Sequence, residues 1–222
     1  RRLTTDPASE QAPIWSPSGG AIAFTRNGQL FRVPATGGQE SRLTTAAGPR
    51  LSWSPDSRQI AFSDRTAEDG RLGIFLISVD SGERRRLTTP AKAAENDIHP
   101  AFSPDGKTIA FVRTDVLLAS IYRVPLAGGN PIRVARPAMP SAGLVWSPDG
   151  RFLLFATGPL APGLLFVPAD ARDATHMERL DVAGFNVFDP SVSGRNGGRE
   201  FALAYAQKST NWDIFGASIG NQ

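Results

Sequence analysis

The sequence predicts an all-β chain folded as a β-propeller of five four-stranded blades, and three observations predict it. An aromatic-Ser-Pro signature recurs at Trp15, Trp53, Phe102 and Trp146, with Val192 in the matching place of a degraded fifth copy, at spacings of 38, 49, 44 and 46 residues. Each copy is followed by further short apolar segments in a constant order. No segment sustains the 3.6-residue period of a helix. A repeat of about 40 to 50 residues that holds four strands is the mark of a propeller blade.

The first strand of each repeat, strand A, ends in the aromatic-Ser-Pro signature. Strand B reads Ile22-Ala23-Phe24, Ile60-Ala61-Phe62, Ile109-Ala110-Phe111, Leu153-Leu154-Phe155 and Leu203-Ala204-Tyr205. Strand C carries Leu30-Phe31, Ile74-Phe75, Ile121-Tyr122, Leu164-Leu165 and Ile214-Phe215. Strand D is Leu-Thr-Thr at 3–5, 43–45 and 87–89, with Val134 and Leu180 as weaker equivalents. The A–B connection has turn chemistry of its own. In Ser103-Pro104-Asp105-Gly106, Pro presets φ, Asp suits the third position, and Gly takes the left-handed fourth without strain. Ser147-Pro148-Asp149-Gly150 repeats it, whereas Ser18 replaces Asp in the first copy and Ser57 replaces Gly in the second. The fifth copy, from Ser193 to Gly198, has lost this turn and reads as a longer hairpin.

The chain opens on a D strand and closes on a C strand. If the ring closes within it, Leu3-Thr4-Thr5 supplies the outer strand of the last blade and removes an open edge. The blades are then approximately 6–45, 46–89, 90–135, 136–181 and 182–219 plus 1–5, one domain over 1–222. Otherwise the five blades are an excerpt of a larger ring.

Composition agrees. Gly and Pro make up 40 of 222 residues, the supply that many turns require. Net charge is +3 and the cations are mostly Arg, which does not by itself imply nucleic acid. There is no Cys, so disulfides and thiolate chemistry are excluded. His99 and His176 are the two histidines, too few for a histidine-rich metal site. No cofactor motif is present, and none is expected to be bound. Residues 152–169 are uncharged over nearly a membrane span, but Gly158, Pro159, Pro162 and Gly163 predict strand, turn and strand instead.

With these residues in register the sequence resembles the TolB-like, WD-type propeller repeat. Pro-x-Trp-Ser-Pro, Val-Pro-x-x-Gly-Gly at 33–38 and Arg-Leu-Thr-Thr look most like the propellers of bacterial CadC-like regulators. There a winged-helix domain and a membrane span precede an extracytoplasmic propeller. The same repeats occur in periplasmic TolB and in the propellers of prolyl oligopeptidase-type peptidases. The resemblance implies a periplasmic or extracytoplasmic location, and a binding module within a larger polypeptide.

Three features bear on chemistry. Gly216-Ala217-Ser218-Ile219-Gly220 matches the G-x-S-x-G nucleophile elbow, but the elbow needs a following helix and downstream acid and histidine partners. It reads as a chance match, and the domain is expected not to be an enzyme. Three residues before each A-strand aromatic stand Ala12, Arg50, His99, Gly143 and Asp189. Blades are related by rotation, so this position brings Arg50, His99 and Asp189 toward one mouth of the central channel. The trio suits a carboxylate or a polar peptide end; the alternative is a solvated entrance. Arg2, Arg42, Arg84–Arg86, Arg133 and Arg179 fall in or beside D strands, where charge discourages edge-to-edge pairing.

Apolar residues in the D–A and B–C connections complete the list of candidate contacts: Leu117 with its neighbours Val116 and Leu118, Met139, Leu160, Phe185, Phe188 and Trp212. Gathered on one face they form a patch for a protein partner; the alternative is that they fold back as local caps. The expected partner is a protein or peptide, with no nucleic acid or membrane bound by this domain, and the chain is a monomer if the ring closes.

Overall fold

A computed structural model of the chain describes residues 2–48, 50–65, 70–91, 94–115, 118–136, 141–157, 163–180, 187–195, 200–208 and 212–220. Among them there are nineteen strands and no helix. The first blade is β1 (Gln11–Trp15), β2 (Ala21–Arg26), β3 (Gln29–Pro34) and β4 (Ser41–Thr45). The second is β5 (Leu51–Trp53), β6 (Gln59–Arg65), β7 (Leu72–Ser78) and β8 (Arg84–Arg86). The third is β9 (Asn96–Phe102), β10 (Thr108–Thr114), β11 (Ala119–Pro125) and β12 (Ile132–Ala135). The fourth is β13 (Ser141–Trp146), β14 (Phe152–Thr157), β15 (Gly163–Pro168) and β16 (Glu178–Leu180), and the fifth has β17 (Val187–Arg195), β18 (Glu200–Lys208) and β19 (Trp212–Gly220). Each sheet is an antiparallel meander in chain order.

The A strands β1, β5, β9, β13 and β17 pack successively against one another, so they line the axis. The D strands β4, β8, β12 and β16 each pair with one strand and form the outer edges. Arg42, Arg84–Arg86, Arg133 and Arg179 sit on those edges. The uncharged stretch 152–169 contains the paired strands β14 and β15, and no described helix is long and apolar enough to cross a membrane.

The core lies between blades. Ile60 and Phe62 of β6 pack toward the first blade, with Ala23 and Leu30, while Ala61 between them faces the third blade, beside Ile109 and Phe111. Ala110 and Val112 in turn face the fourth blade, against Leu153 and Phe155. The Ile-Ala-Phe motif is thus a large-small-large wedge. Alternation along a strand sends the two bulky residues to one sheet face and the small one to the other, where the next blade's bulk is received.

The turns follow their chemistry. Ser54, Ser103 and Ser147 each donate Oγ to the Asp two residues on, at 2.6 Å in all three turns. The same hydroxyls accept the amides of Gln59, Thr108 and Phe152. Serine donation holds the Asp56 and Asp105 carboxyls below the usual range. Gly19, Gly106 and Gly150 have φ between +69° and +73°, and Ser57 is forced to +61°.

One expectation needs correction. Leu3-Thr4-Thr5 is not in a strand, and the fifth sheet has three strands among the described residues. The segment instead leads toward Arg26: Thr4 bonds Glu10, and Glu10 and Asp6 both pair with Arg26. The Arg26 guanidinium lies over Phe24 and Phe31 and carries Glu40 at 2.8 Å, and this charge cluster draws the segment onto the first blade.

Trp15 reports the same fact. Trp53 donates its indole N–H to the Ile14 carbonyl of the preceding blade, and Trp146 donates to that of Ala101. Trp15 is 61% exposed, whereas Trp53 is 7% exposed. Nor does β1 pack along β17 as it does along β5. Among the described residues, the strands of the fifth blade do not pack along those of the first as neighbouring blades do elsewhere.

Candidate functional site

The position that the sequence aligns across the repeats is a recurrent bulge. Register breaks fall between Gln11 and Ile14 in β1, between Ile98 and Ala101 in β9, between Ala142 and Leu144 in β13, and between Phe188 and Ser191 in β17. A bulge leaves its extra residue out of the ladder and redirects that side chain. Ala12, His99 and Gly143 occupy the bulges with φ of +51°, +52° and +76°. The left-handed region costs a non-glycine residue roughly 1 kcal/mol or more. Gly143 meets that requirement without strain; His99 does not.

Arg50 directly precedes β5, and its charge reaches His99. Burial and then Arg50 push the His99 imidazole down to about 4. Burial also lowers the Arg50 guanidinium from its ordinary value. His99 Nδ1 is buried and has no hydrogen-bond partner. A buried polar atom without a partner costs about 1–3 kcal/mol, so it calls for an explanation. Two of the three predicted residues are therefore brought together. Asp189 lies at the β17 bulge by backbone register.

A cavity of about 460 Å³ is lined by residues of the A strands and A–B turns, among them Leu51, Trp53, Pro100, Phe102, Leu144 and Trp146. Leu51 and Pro100 directly follow Arg50 and His99. Neither Arg50 nor His99 is among the residues that line this cavity. The sequence held the signal for this chamber in the aromatic-Ser-Pro signature itself, which the repeat reading took as a structural mark.

The remaining predicted contacts are less gathered. Leu118 is 55% exposed just before β11, while Val116, Leu117, Met139, Leu160 and Phe185 lie outside the described residues. Phe188 lies on β17 and Trp212 opens β19, both placed by backbone alone. Gly216–Gly220 lies within the continuous strand β19, without the strand-turn-helix that a nucleophile elbow needs.

The sequence reading overlooked the role of arginine inside the blades. Facing aromatic pairs on strands B and C stack at 5.6, 6.0 and 5.7 Å in the first three blades. Arg26, Arg84 and Arg113 each lie over one such pair. Threonines of the Leu-Thr-Thr motif clasp the next blade: Thr45 donates to Asp64 and Thr88 to Asp97, each at 2.6 Å. Arg113 completes the second clasp with bonds of 2.6 and 2.9 Å to Asp97.

The profile of the TolB beta propeller domain matches residues 46–196, more than half of the chain. The chain belongs to the TolB β-propeller domain family. An uncharacterized protein of Agrobacterium fabrum is 28% identical over 82% of this chain and 62% of its own length. YuxL, an uncharacterized peptidase of Bacillus subtilis, is 32% identical over 45% of this chain and 21% of its own. The chain therefore spans less than two thirds of both curated relatives. Among solved structures, one assigned to TolB from Agrobacterium tumefaciens superposes with a TM-score of 0.78 at 21% identity, over 99% of this chain and 80% of that one. TolB from Acinetobacter baumannii gives 0.67 at 21% identity, over 93% and 49%. These two share the fold.

Proposed function

We propose that this TolB-family propeller is a non-catalytic recognition module that binds a protein or peptide partner at the Arg50–His99 end of its channel. The observation that carries the reading is His99. A histidine in the left-handed conformation, with a buried ring nitrogen left unpaired, is a local cost that the Gly143 blade avoids at the same position. Local strain and unmet hydrogen bonding concentrate where a ligand supplies the compensation. The packed blades keep that end rigid, so a partner binds with little ordering cost.

By family resemblance the module works outside the cytoplasm, either as a TolB-like scaffold or as the sensor of a CadC-like membrane-bound regulator. A second reading is favoured by the likeness to the Bacillus peptidase: a propeller that gates a catalytic domain.

Selection of a displayed peptide library on the immobilised propeller tests the binding role. The expected result is enrichment of a peptide class that His99→Gln or Arg50→Gln releases. Enriched peptides that bind both variants unchanged would place the binding surface elsewhere. A failure to enrich any class would remove the recognition role.

A further inference from the structure

We propose that a cavity between the third and fourth blades is a further binding site, and that its ligand is a saccharide of one or two rings. The cavity arises from the sequence at two repeat positions. Between the second and third blades, Leu76 of β7 packs with Phe102, and Leu126, just after β11, joins the same cluster. Strand register places Leu76 opposite Ala61 and Arg123 opposite Ala110, so Arg123 of β11 is the equivalent residue one blade on. Leu126 and Ala169 correspond likewise: each donates its amide back across its blade, to the carbonyls of Lys107 and Arg151. At the next seam a guanidinium and a methyl group thus stand where two leucines stood. The space they leave is about 490 Å³ and is lined by Arg123, Trp146 and Ala169, among others. That falls within the range of about 300–1,000 Å³ usual for small-molecule sites. Missing apolar bulk and an unpartnered buried donor both cost stability, and this seam carries both.

The donor is Arg123 Nε, which is buried and has no hydrogen-bond partner, so it calls for an acceptor. Asp105, Asp149 and Asp170 line the same cavity and call for donors; among the described residues no ion pair joins them to Arg123. Charges of both signs in one cavity disfavour a simple anion and a simple cation alike. A hydroxyl donates and accepts through one atom, so a polyhydroxylated ligand serves both kinds of wall without net charge. The three carboxylates come from separate segments, two A–B turns and the residue after Ala169, so donors are wanted at several points. An amino acid gathers its donors on one nitrogen. The turns hold their carboxylates ready: Ser103 Oγ and the Lys107 amide donate to Asp105 Oδ1, and Ser147 Oγ and the Arg151 amide donate to Asp149 Oδ1. None of these bonds uses Oδ2. Trp146 adds an aromatic wall for the C–H face of a sugar ring, its indole anchored at 3.0 Å on the Ala101 carbonyl.

The test uses the whole propeller and small probes. Methyl glycosides of glucose, galactose, mannose and N-acetylglucosamine, with maltose and cellobiose, are titrated to about 100 mM, where even a millimolar Kd saturates. The Arg123 Nε–H signal, the indole N–H signals and the backbone amides are followed by NMR. The expected result is that at least one probe gives a saturable shift of Arg123 Nε–H, Gly150 and Ala169, which line this cavity and not the central one, with the Trp53 indole unmoved. Tighter binding of either disaccharide than of methyl glucoside marks a glycan chain as the source, and equal binding a single sugar. Arg123→Leu and Ala169→Leu copy the leucines of the neighbouring seam, so unfolding midpoints should not fall, while each variant should weaken the best probe at least tenfold. No shift with any probe, shifts confined to the central cavity, affinity kept in both leucine variants, or L-serine binding as well as the best saccharide would each overturn the inference. The readouts lie away from Arg50 and His99, so this site and the peptide-binding role can fail independently.

Discussion

Substituting Asp97 with Ala should be among the most damaging single changes in this chain. Asp97 is fully buried and accepts three hydrogen bonds: from Arg113 Nε at 2.6 Å, from Arg113 Nη2 at 2.9 Å and from Thr88 Oγ1 at 2.6 Å. Arg113, 11% exposed and stacked 4.9 Å from the Tyr122 ring centroid, has little freedom to turn toward water. Removing one partner of a buried pair leaves an uncompensated charge and costs about 3–5 kcal/mol. In a domain of this size each kcal/mol lowers Tm by roughly 2–4 °C, so the loss should be on the order of 10 °C. Thermal unfolding followed by tryptophan fluorescence measures it. The double variant Asp97→Ala with Arg113→Leu should recover part of the loss, because no charge is then left unpaired. Asp173→Ala is the control. Asp173 also binds two arginines, Arg133 and Arg136, but it is 49% exposed, and such pairs contribute about 1 kcal/mol or less. If Asp97→Ala cost no more than Asp173→Ala, the clasp between the second and third blades would not hold them together.

Further outcomes follow from the same structure. Trp15→Ser should change stability by less than about 0.5 kcal/mol because the ring is exposed, whereas Trp53→Phe should cost about 1 kcal/mol for the lost bond to the Ile14 carbonyl; denaturant midpoints compare them. Ser57→Gly should stabilise by roughly 0.5–1 kcal/mol, since φ is +61° there, while Gly73→Ala should destabilise by roughly 1–3 kcal/mol because its Cβ would meet the Thr88 carbonyl at 2.5 Å. His99 titrates at about 4 when folded against about 6.5 when unfolded, so the unfolded chain takes the proton first and stability falls as pH drops through that window. The loss should reach at most about 3 kcal/mol, and His99→Gln should flatten urea midpoints measured between pH 7 and 4.5.

The repeat made the fold legible because it is written in chemistry that acts locally. Ser103-Pro104-Asp105-Gly106 specifies a turn by itself, and Ile109-Ala110-Phe111 fixes which face of the strand is bulky. Leu3-Thr4-Thr5 was misread for the opposite reason. The same three residues form a strand in β4 because a C strand lies beside them, and at the start of the chain the acidic residues Asp6 and Glu10 tie the segment to Arg26 instead. The candidate site was half legible. Rotation symmetry put Arg50 and His99 at one position, but the left-handed φ of His99 and its unpaired nitrogen depend on the strand bulge. The arginine–aromatic stacks were half marked: Arg26 and Arg113 each follow the B-strand Phe by two residues, but in the second blade Asp64 holds that place and Arg84 comes from a D strand, so the spacing does not carry across the blades.

That the Arg50–His99 end of the channel is the partner-binding surface is tested most directly by mapping where a selected peptide shifts the backbone amide signals of the propeller. The predicted result is a cluster of shifts at Arg50, Leu51, His99, Pro100-flanking residues and Gly143, with the D-strand edges silent. Shifts confined to those outer edges, with the bulge positions unmoved at saturation, would contradict it.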